Sequence, residues 1–185
     1  AGIDEAGRGA WAGPVTAGAA ILPVEDHLLN LLDGVRDSKQ MTAAEREQMA
    51  QVITANAVCW AVGAADNLEI DRIGILPATR LAMERAIEGL SVHPDFLLTD
   101  YVFLPRVMLP KGDVHSLSIA SASVLAKVTR DRWMSEVAAV NFPQYGFEKH
   151  KGYGTQLHQD SLATYGPCAI HRQSFKPVGG ELRLF

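Results

Sequence analysis

Strand-like and helix-like patterns of apolar residues alternate along this chain. Residues 15–22 (VTAGAAIL) form a run of small, β-branched and aliphatic residues, the mark of a buried strand. Gly2-Ile3-Asp4 reads as the end of an earlier strand, followed by a glycine-rich turn at Gly7-Arg8-Gly9. Residues 33–41 (DGVRDSKQM) are a polar loop. Thr42 and Glu45 have capping-box spacing, which predicts a helix running to about Asn56. Residues 57–65 read as a strand. Pro77 suits the first turn of a helix over 76–90, with Leu76, Leu81, Met83 and Ile87 mostly inward. Phe96-Leu97-Leu98-Thr99 is a short apolar strand that delivers Asp100 at its C-terminal end. Residues 101–116 are a loop or short strand, and 118–140 a long helix rich in small residues. The remainder is loop-rich, with a short helix at 155–165. The order predicts an α/β fold with a mixed central sheet flanked by helices, plus a helical and loop-rich C-terminal part.

The chain has 185 residues, of which 48% are hydrophobic and 21% charged, so it can bury one sizeable core and is not disordered or fibrous. Residues 1–185 are therefore expected to form a single domain. Cys59 and Cys168 lie far apart and in no metal-ligand spacing, which fits a reducing cytoplasm and excludes a zinc ribbon. No apolar run reaches the length of a membrane span, and no signal-peptide pattern opens the sequence.

Charge changes the picture once the chain is divided. Residues 1–100 carry seven Lys/Arg against fifteen Asp/Glu, a net of −8; residues 101–185 carry ten against six, a net of +4. Four of the six histidines, His115, His150, His158 and His171, lie in the basic part. Such a division matches a metal-binding face beside an anion-binding face, or an accidental segregation of solvated charge.

Three places carry acids that could do chemistry. Asp4-Glu5 stand where a strand gives way to the Gly7-Arg8-Gly9 turn; neighbouring strand side chains share a site only at such an end. Asp100 follows an apolar strand, and ligand sites in α/β sheets gather at strand C-terminal ends. Asp131 lies well inside a helix, on a face with Val124 and Val128 and between Arg130 and Arg132. Each alone also has a bland reading: Asp4-Glu5 as a strand-end pair exposed to solvent, Asp100 as a turn-starting residue and Asp131 as a salt-bridged surface acid. Four carboxylates converging on one point would repel unless divalent cations neutralised them. Hard oxygen ligands select Mg²⁺ or Mn²⁺, and two such ions would make a site for in-line phosphodiester hydrolysis.

Other segments suit anions. Gly7-Arg8-Gly9 lets backbone amides approach an anion or a sugar, although no P-loop follows. Asp37-Ser38-Lys39 offers one hydroxyl and one cation. In Lys149-His150-Lys151-Gly152-Tyr153-Gly154, the basic residues suit phosphates and the tyrosine can stack on a base or sugar, or pack on the core. His171-Arg172-Gln173-Ser174-Phe175 reads as a basic hook near the C-terminus, of no assigned role. Cys59, Cys168 and the tryptophans read as packing residues.

Six blocks in this order resemble one family. They are Gly2-Ile3-Asp4-Glu5-Ala-Gly7-Arg8-Gly9 with Ala12-Gly13-Pro14-Val15; Asp37-Ser38-Lys39-Gln40; Lys111-Gly112-Asp113; Ser118-Ile119-Ala-Ser-Ala-Ser123 through Ala126-Lys127-Val128-Thr129-Arg130-Asp131; Lys149-His150-Lys151-Gly152-Tyr153; and His171-Arg172-Gln173-Ser174-Phe175. Together they resemble bacterial ribonuclease HII, a type 2 ribonuclease H. The resemblance implies a ribonuclease H-like fold and a catalytic, metal-holding quartet of Asp4, Glu5, Asp100 and Asp131 with Mg²⁺ or Mn²⁺. It implies cleavage 5′ of ribonucleotides, in RNA–DNA hybrids or embedded singly in duplex DNA, leaving 3′-hydroxyl and 5′-phosphate ends. Gly7, Arg8 and Gly9 would read the 2′-hydroxyl, Tyr153 would pack on the sugar of the next deoxyribonucleotide, and Lys39 would meet a backbone phosphate. It also implies a monomer, and with the chain ending at Phe185 no added hybrid- or clamp-binding module is expected. Asp100-Tyr101 stands where the family commonly has Asp-Gly, and Gly152-Tyr153-Gly154 where it has Gly-Tyr-Ala. Two other readings stay open: a DNA-cutting nuclease or transposase of the same fold, and a non-catalytic module that binds through its basic part.

Overall fold

A computed structural model describes residues 1–24, 30–32, 34–35, 41–99 and 117–179. Lys39, Asp100 and the 101–116 segment, and with them the Asp37-Ser38-Lys39-Gln40 and Lys111-Gly112-Asp113 blocks, lie outside the described residues.

Three antiparallel strands form the centre, in the order β1-β2-β3: β1 Gly2–Ala6, β2 Val15–Ile21 and β3 Cys59–Ala65. Leu98 adds a single parallel bridge beside Gly2, where the Ile3 amide donates to the Leu98 carbonyl at 2.9 Å and the Leu98 amide to the Ala1 carbonyl at 2.8 Å. The sheet is thus mixed, but the strand expected over 96–99 shrinks to one bridge among the described residues. The apolar run is only half used: Leu97 packs on the core, whereas Phe96 is 63% exposed.

The helices follow local signals. In α1, Ala43–Asn56, the Thr42 hydroxyl accepts from the Glu45 amide, and the Glu45 carboxylate accepts from the Thr42 amide at 2.7 Å. The short α2, Asn67–Ile73, has no counterpart in the sequence reading, although Asp66 and Glu69 make the same capping box. Next come α3, Ile75–Glu88, and α4, Leu117–Trp133. A π-helical turn, Met134–Ala138, and a last α turn, Ala139–Asn141, continue α4, which completes the helix expected over 118–140. A 3₁₀ turn at Pro143–Tyr145 precedes α5, Phe147–His150, α6, Gln156–Tyr165, and α7, Lys176–Gly179.

Strand alternation divides the core in two. Ile3, Val15, Ala17 and Ala19 pack against Ala78, Ala82, Met83 and Ala86 of α3. Ala20 packs against Val124, Leu125 and Val128 of α4, together with Ile53 of α1. The small residues of β2 let α4 come very close. A Cβ on Gly18 would lie 2.3 Å from the Ala122 carbonyl oxygen. A third cluster, under the C-terminal part, holds Ala12, Met134, Tyr145 and Phe147. Among the described residues no helix is long and apolar enough to cross a membrane.

Candidate active site

Helix α4 runs along β1. Gly2 lies against the backbone of Ser118 and Ile119, Gly18 (the register partner of Asp4) against Ala122 and Ala126, and Gly7 against Arg130. This brings Asp131 to the end of the sheet that carries Asp4 and Glu5. Asp4 pairs across from Gly18 and so shares the α4 face, whereas Glu5 pairs across from Ala17 and points to the other face. All three acids are half-buried. The Arg8 Nη1 donates to Glu5 Oε1 at 3.0 Å, and Glu5 Oε2 is buried with no hydrogen-bond partner. Lys127 Nζ, one helical turn back, donates to Asp131 Oδ1 at 2.8 Å. No group of three or more His, Cys, Asp or Glu side chains able to hold a metal ion occurs among the described residues, of which Asp100 is not one. The described donor set still fits a hard cation: its donors are carboxylate oxygens, and one of them is buried and unmatched.

The turn after β1 is built on buried guanidinium. Arg130 is fully buried. Its Nε donates to the Pro14 carbonyl at 2.9 Å, Nη1 to Lys151 at 3.0 Å and Nη2 to Ala12 at 3.1 Å. Its Nη1 lies 4.0 Å from Asp131 Oδ1. Gly7 has φ +92°, and a Cβ there would lie 2.1 Å from Arg130 Nε. No side chain fits between turn and guanidinium. Arg172, also fully buried, donates from Nη1 to the Arg8 carbonyl and from Nε to Gly13, both at 3.0 Å. Burial holds both guanidinium groups below their ordinary range, and for Arg172 the charge of Arg130 adds to it. A buried cation is tolerated where carbonyl dipoles replace its water, as they do at all three Arg130 nitrogens and at Nε and Nη1 of Arg172, whose Nη2 is buried without a partner. In the sequence Arg130 stands only as a flank of Asp131, and Arg172 as part of a hook of no assigned role. A signal for Arg130 existed: Ala122, Ala126 and Arg130 follow one another at i, i+4 on the helix face that meets the sheet.

Tyr153 joins the same place from the far end of the chain. Lys151 adopts φ +52°, uncommon for a residue with a side chain, so its carbonyl can meet Arg130. Its Nζ donates to Ser135 Oγ at 2.6 Å and to the Glu148 carbonyl. The Trp11 amide donates to the Gly152 carbonyl at 2.8 Å. Lys127 Nζ and the Arg130 guanidinium lie 5.1 and 5.2 Å from the centre of the half-buried Tyr153 ring. Beside Asp131 opens a cleft of about 210 Å³, lined by the cations Arg46, Arg132 and Lys151 and by the acids Glu47 and Glu136. Of the residues singled out in the sequence, Asp4, Glu5, Gly7, Arg8, Gly9, Asp131 and Tyr153 thus surround one end of the sheet.

The sequence matches the profile of the family described as Ribonuclease HII over residues 1–178. It is 50% identical over 189 residues to the ribonuclease HII of Desulfitobacterium hafniense, covering 100% of this chain and 71% of that protein. It is 52% identical to that of Chloroflexus aurantiacus, covering 96% and 86%. The fold is similar to the crystal structure of ribonuclease H2 from Pyrococcus horikoshii OT3, with a TM-score of 0.76 at 24% identity, over 96% of this chain and 94% of that one.

Proposed function

The chain belongs to the ribonuclease HII family, and from that premise we propose the substrate and the roles of its residues. As a ribonuclease H endonuclease it cuts the phosphodiester on the 5′ side of a ribonucleotide, in RNA–DNA hybrids and at single ribonucleotides embedded in duplex DNA, leaving 3′-hydroxyl and 5′-phosphate ends. Residues 1–185 act as one catalytic domain, a monomer in the cytoplasm; two free cysteines are in keeping with that reducing compartment.

One observation carries the reading. A single buried guanidinium, next in sequence to Asp131, lies both against Gly7 and against the Tyr153 ring. The turn, the tyrosine and an acid are thereby held as one unit at the acidic end of β1. Gly9, where a Cβ would meet nothing within 4 Å, leaves the turn's backbone open to a close-approaching sugar. The Gly7, Arg8 and Gly9 backbone reads the 2′-hydroxyl, the group that separates RNA from DNA. Tyr153 packs on the sugar that follows, which excludes water from that side. Lys39 meets a backbone phosphate.

Asp4, Glu5, Asp100 and Asp131 hold divalent cations, Mg²⁺ or Mn²⁺, which when bound activate water and stabilise charge on the leaving 3′-oxygen. The unmatched Glu5 oxygen supports this role, since a buried carboxylate oxygen without a donor is costly unless a cation reaches it. Lys127 neutralises Asp131 from the side facing Tyr153.

The test is a duplex carrying one embedded ribonucleotide, incubated with Mg²⁺, with Mn²⁺ and with EDTA, beside an all-DNA duplex. A single cut 5′ of the ribonucleotide is expected only with metal, and Asp100→Asn should lose about 100-fold or more. Cutting of the all-DNA duplex, or cutting in EDTA, overturns the reading.

A further inference from the structure

Three histidines of the basic C-terminal part are buried side by side, a cluster the reaction above does not use. His158 is 0%, His171 1% and His150 7% exposed, so none of them can touch a substrate. The His150 and His158 rings stack at 4.4 Å.

Their hydrogen bonds have a direction. The Cys168 amide can only donate, and it points at His171 Nδ1 from 2.9 Å; the Cys168 thiol, kept protonated by burial, lies 3.1 Å from the same nitrogen and can also donate to it. His171 therefore carries its proton on Nε2, which lies 2.9 Å from His158 Nε2. Two ring nitrogens share one proton, so His158 Nε2 accepts and the His158 proton sits on Nδ1. That Nδ1–H donates to the Tyr153 carbonyl at 3.1 Å. His150 is ordered the same way: the Gly152 amide donates to its Nδ1 at 3.1 Å, and its Nε2–H donates to the Tyr145 carbonyl at 2.8 Å. Every ring nitrogen has a partner only when all three rings are neutral. Burial favours that state, pushing His150 down and His158 and His171 down to about 4.

The chain of protons ends on the backbone of the residue whose ring faces the site. We infer that His158 and His171 are positioning residues, which set the Tyr153 ring against Lys127 and Arg130 by fixing the Tyr153 carbonyl. Packing braces the same unit. The Trp11 ring lies 5.5 Å from that of His158 and directly against Gly154. Trp11 belongs to the turn that follows Gly7-Arg8-Gly9, so the chain holds tyrosine and turn in one register. The inference rests on the role given to Tyr153 under the proposed function.

Two substitutions separate the two halves of the chain. In His158→Asn the side-chain amide takes the place of Nδ1–H and can still donate to the Tyr153 carbonyl, while the link to His171 is lost. In His158→Gln the side-chain oxygen reaches the place of Nε2 and keeps His171, while the Tyr153 carbonyl loses its donor. With the embedded-ribonucleotide duplex, His158→Gln should lower kcat/KM about tenfold and His158→Asn less than about threefold. In a Tyr153→Ala background, His158→Gln should cause no further loss, because both changes act through one ring. Equal losses in the two variants, or the same tenfold loss with Tyr153 already removed, overturn the inference. A wild-type protein that leaves this substrate uncut refutes the proposed function instead. Nitrogen-15 spectra of the unmutated protein at pH 7 test the proton order independently of folding in any variant. His158 should be the Nδ1–H tautomer and His171 the Nε2–H tautomer; reversed tautomers or charged rings overturn the chain.

Discussion

The guanidinium of Arg130 occupies the space that a side chain on Gly7 would need. The two residues stand far apart in the sequence and touch because α4 runs along β1 to its end. The turn that follows β1 is shaped around this cation, and so are the carbonyls of Ala12, Pro14 and Lys151.

Gly7→Ala should therefore be costly and Gly9→Ala should not. At position 7 a methyl group meets Arg130 and a left-handed backbone, so unfolding in urea should show a loss of about 2–3 kcal/mol, with kcat/KM down at least about tenfold. At position 9 the added methyl meets nothing within 4 Å, so stability should stay within about 0.5 kcal/mol while cleavage of the ribonucleotide falls. Equal stability losses at the two positions would contradict the role assigned to Arg130.

Glu5→Gln should separate stability from activity. The change keeps an oxygen for Arg8 and puts a neutral amide nitrogen where the unmatched anionic Oε2 stands. Stability without metal should rise or stay level, by about 0–1 kcal/mol, because the buried charge is gone. Cleavage should fall about 100-fold or more, and the rise in Tm that Mn²⁺ gives the unmutated protein should shrink. An unchanged Mn²⁺ shift would remove Glu5 from the metal-holding set.

Acid should weaken the fold before the carboxylates titrate. His158 and His171 ionise near pH 6.5 when unfolded and only near about 4 when folded. Between those values the unfolded chain binds protons that the folded chain refuses, so stability is full above pH 6.5 and falls as pH drops toward 4. One such group is worth about 2 kcal/mol by pH 5, and the two share a hydrogen bond, so their effects do not simply add. Urea midpoints measured from pH 7.5 to 5 should fall steadily below 6.5. A flat profile would mean that the rings ionise freely.

Much of the fold was legible because its signals are local. The Thr42–Glu45 capping box, the small and β-branched run at 15–22 and the long small-residue helix after Ser118 each announce themselves within a few residues. The same signal at Asp66–Glu69 starts a helix of only seven residues, too short for any periodicity to reinforce it. The run at 96–99 reads as a strand because four residues cannot show which of their faces finds a partner; Leu97 meets the core and Phe96 meets solvent.

The candidate site divides along the same line. Acids at a strand end, glycines around an arginine and a tyrosine between glycines are local patterns, and Asp4, Glu5, Gly7, Arg8, Gly9, Asp131 and Tyr153 could be named from the order of residues alone. That Arg130, Arg172, His158 and His171 are interior could not. A charged or titratable side chain is buried only where other segments offer it carbonyls, amides or rings. Here the partners are Arg8, Ala12, Gly13, Pro14, Lys151, Tyr153 and Cys168, and only the folded chain sets them around these side chains. Composition and periodicity record what each residue prefers on average; the burial of Arg130 and Arg172 depends on which distant carbonyls the fold brings within hydrogen-bond reach, and that of the imidazoles on how the C-terminal turns close around them.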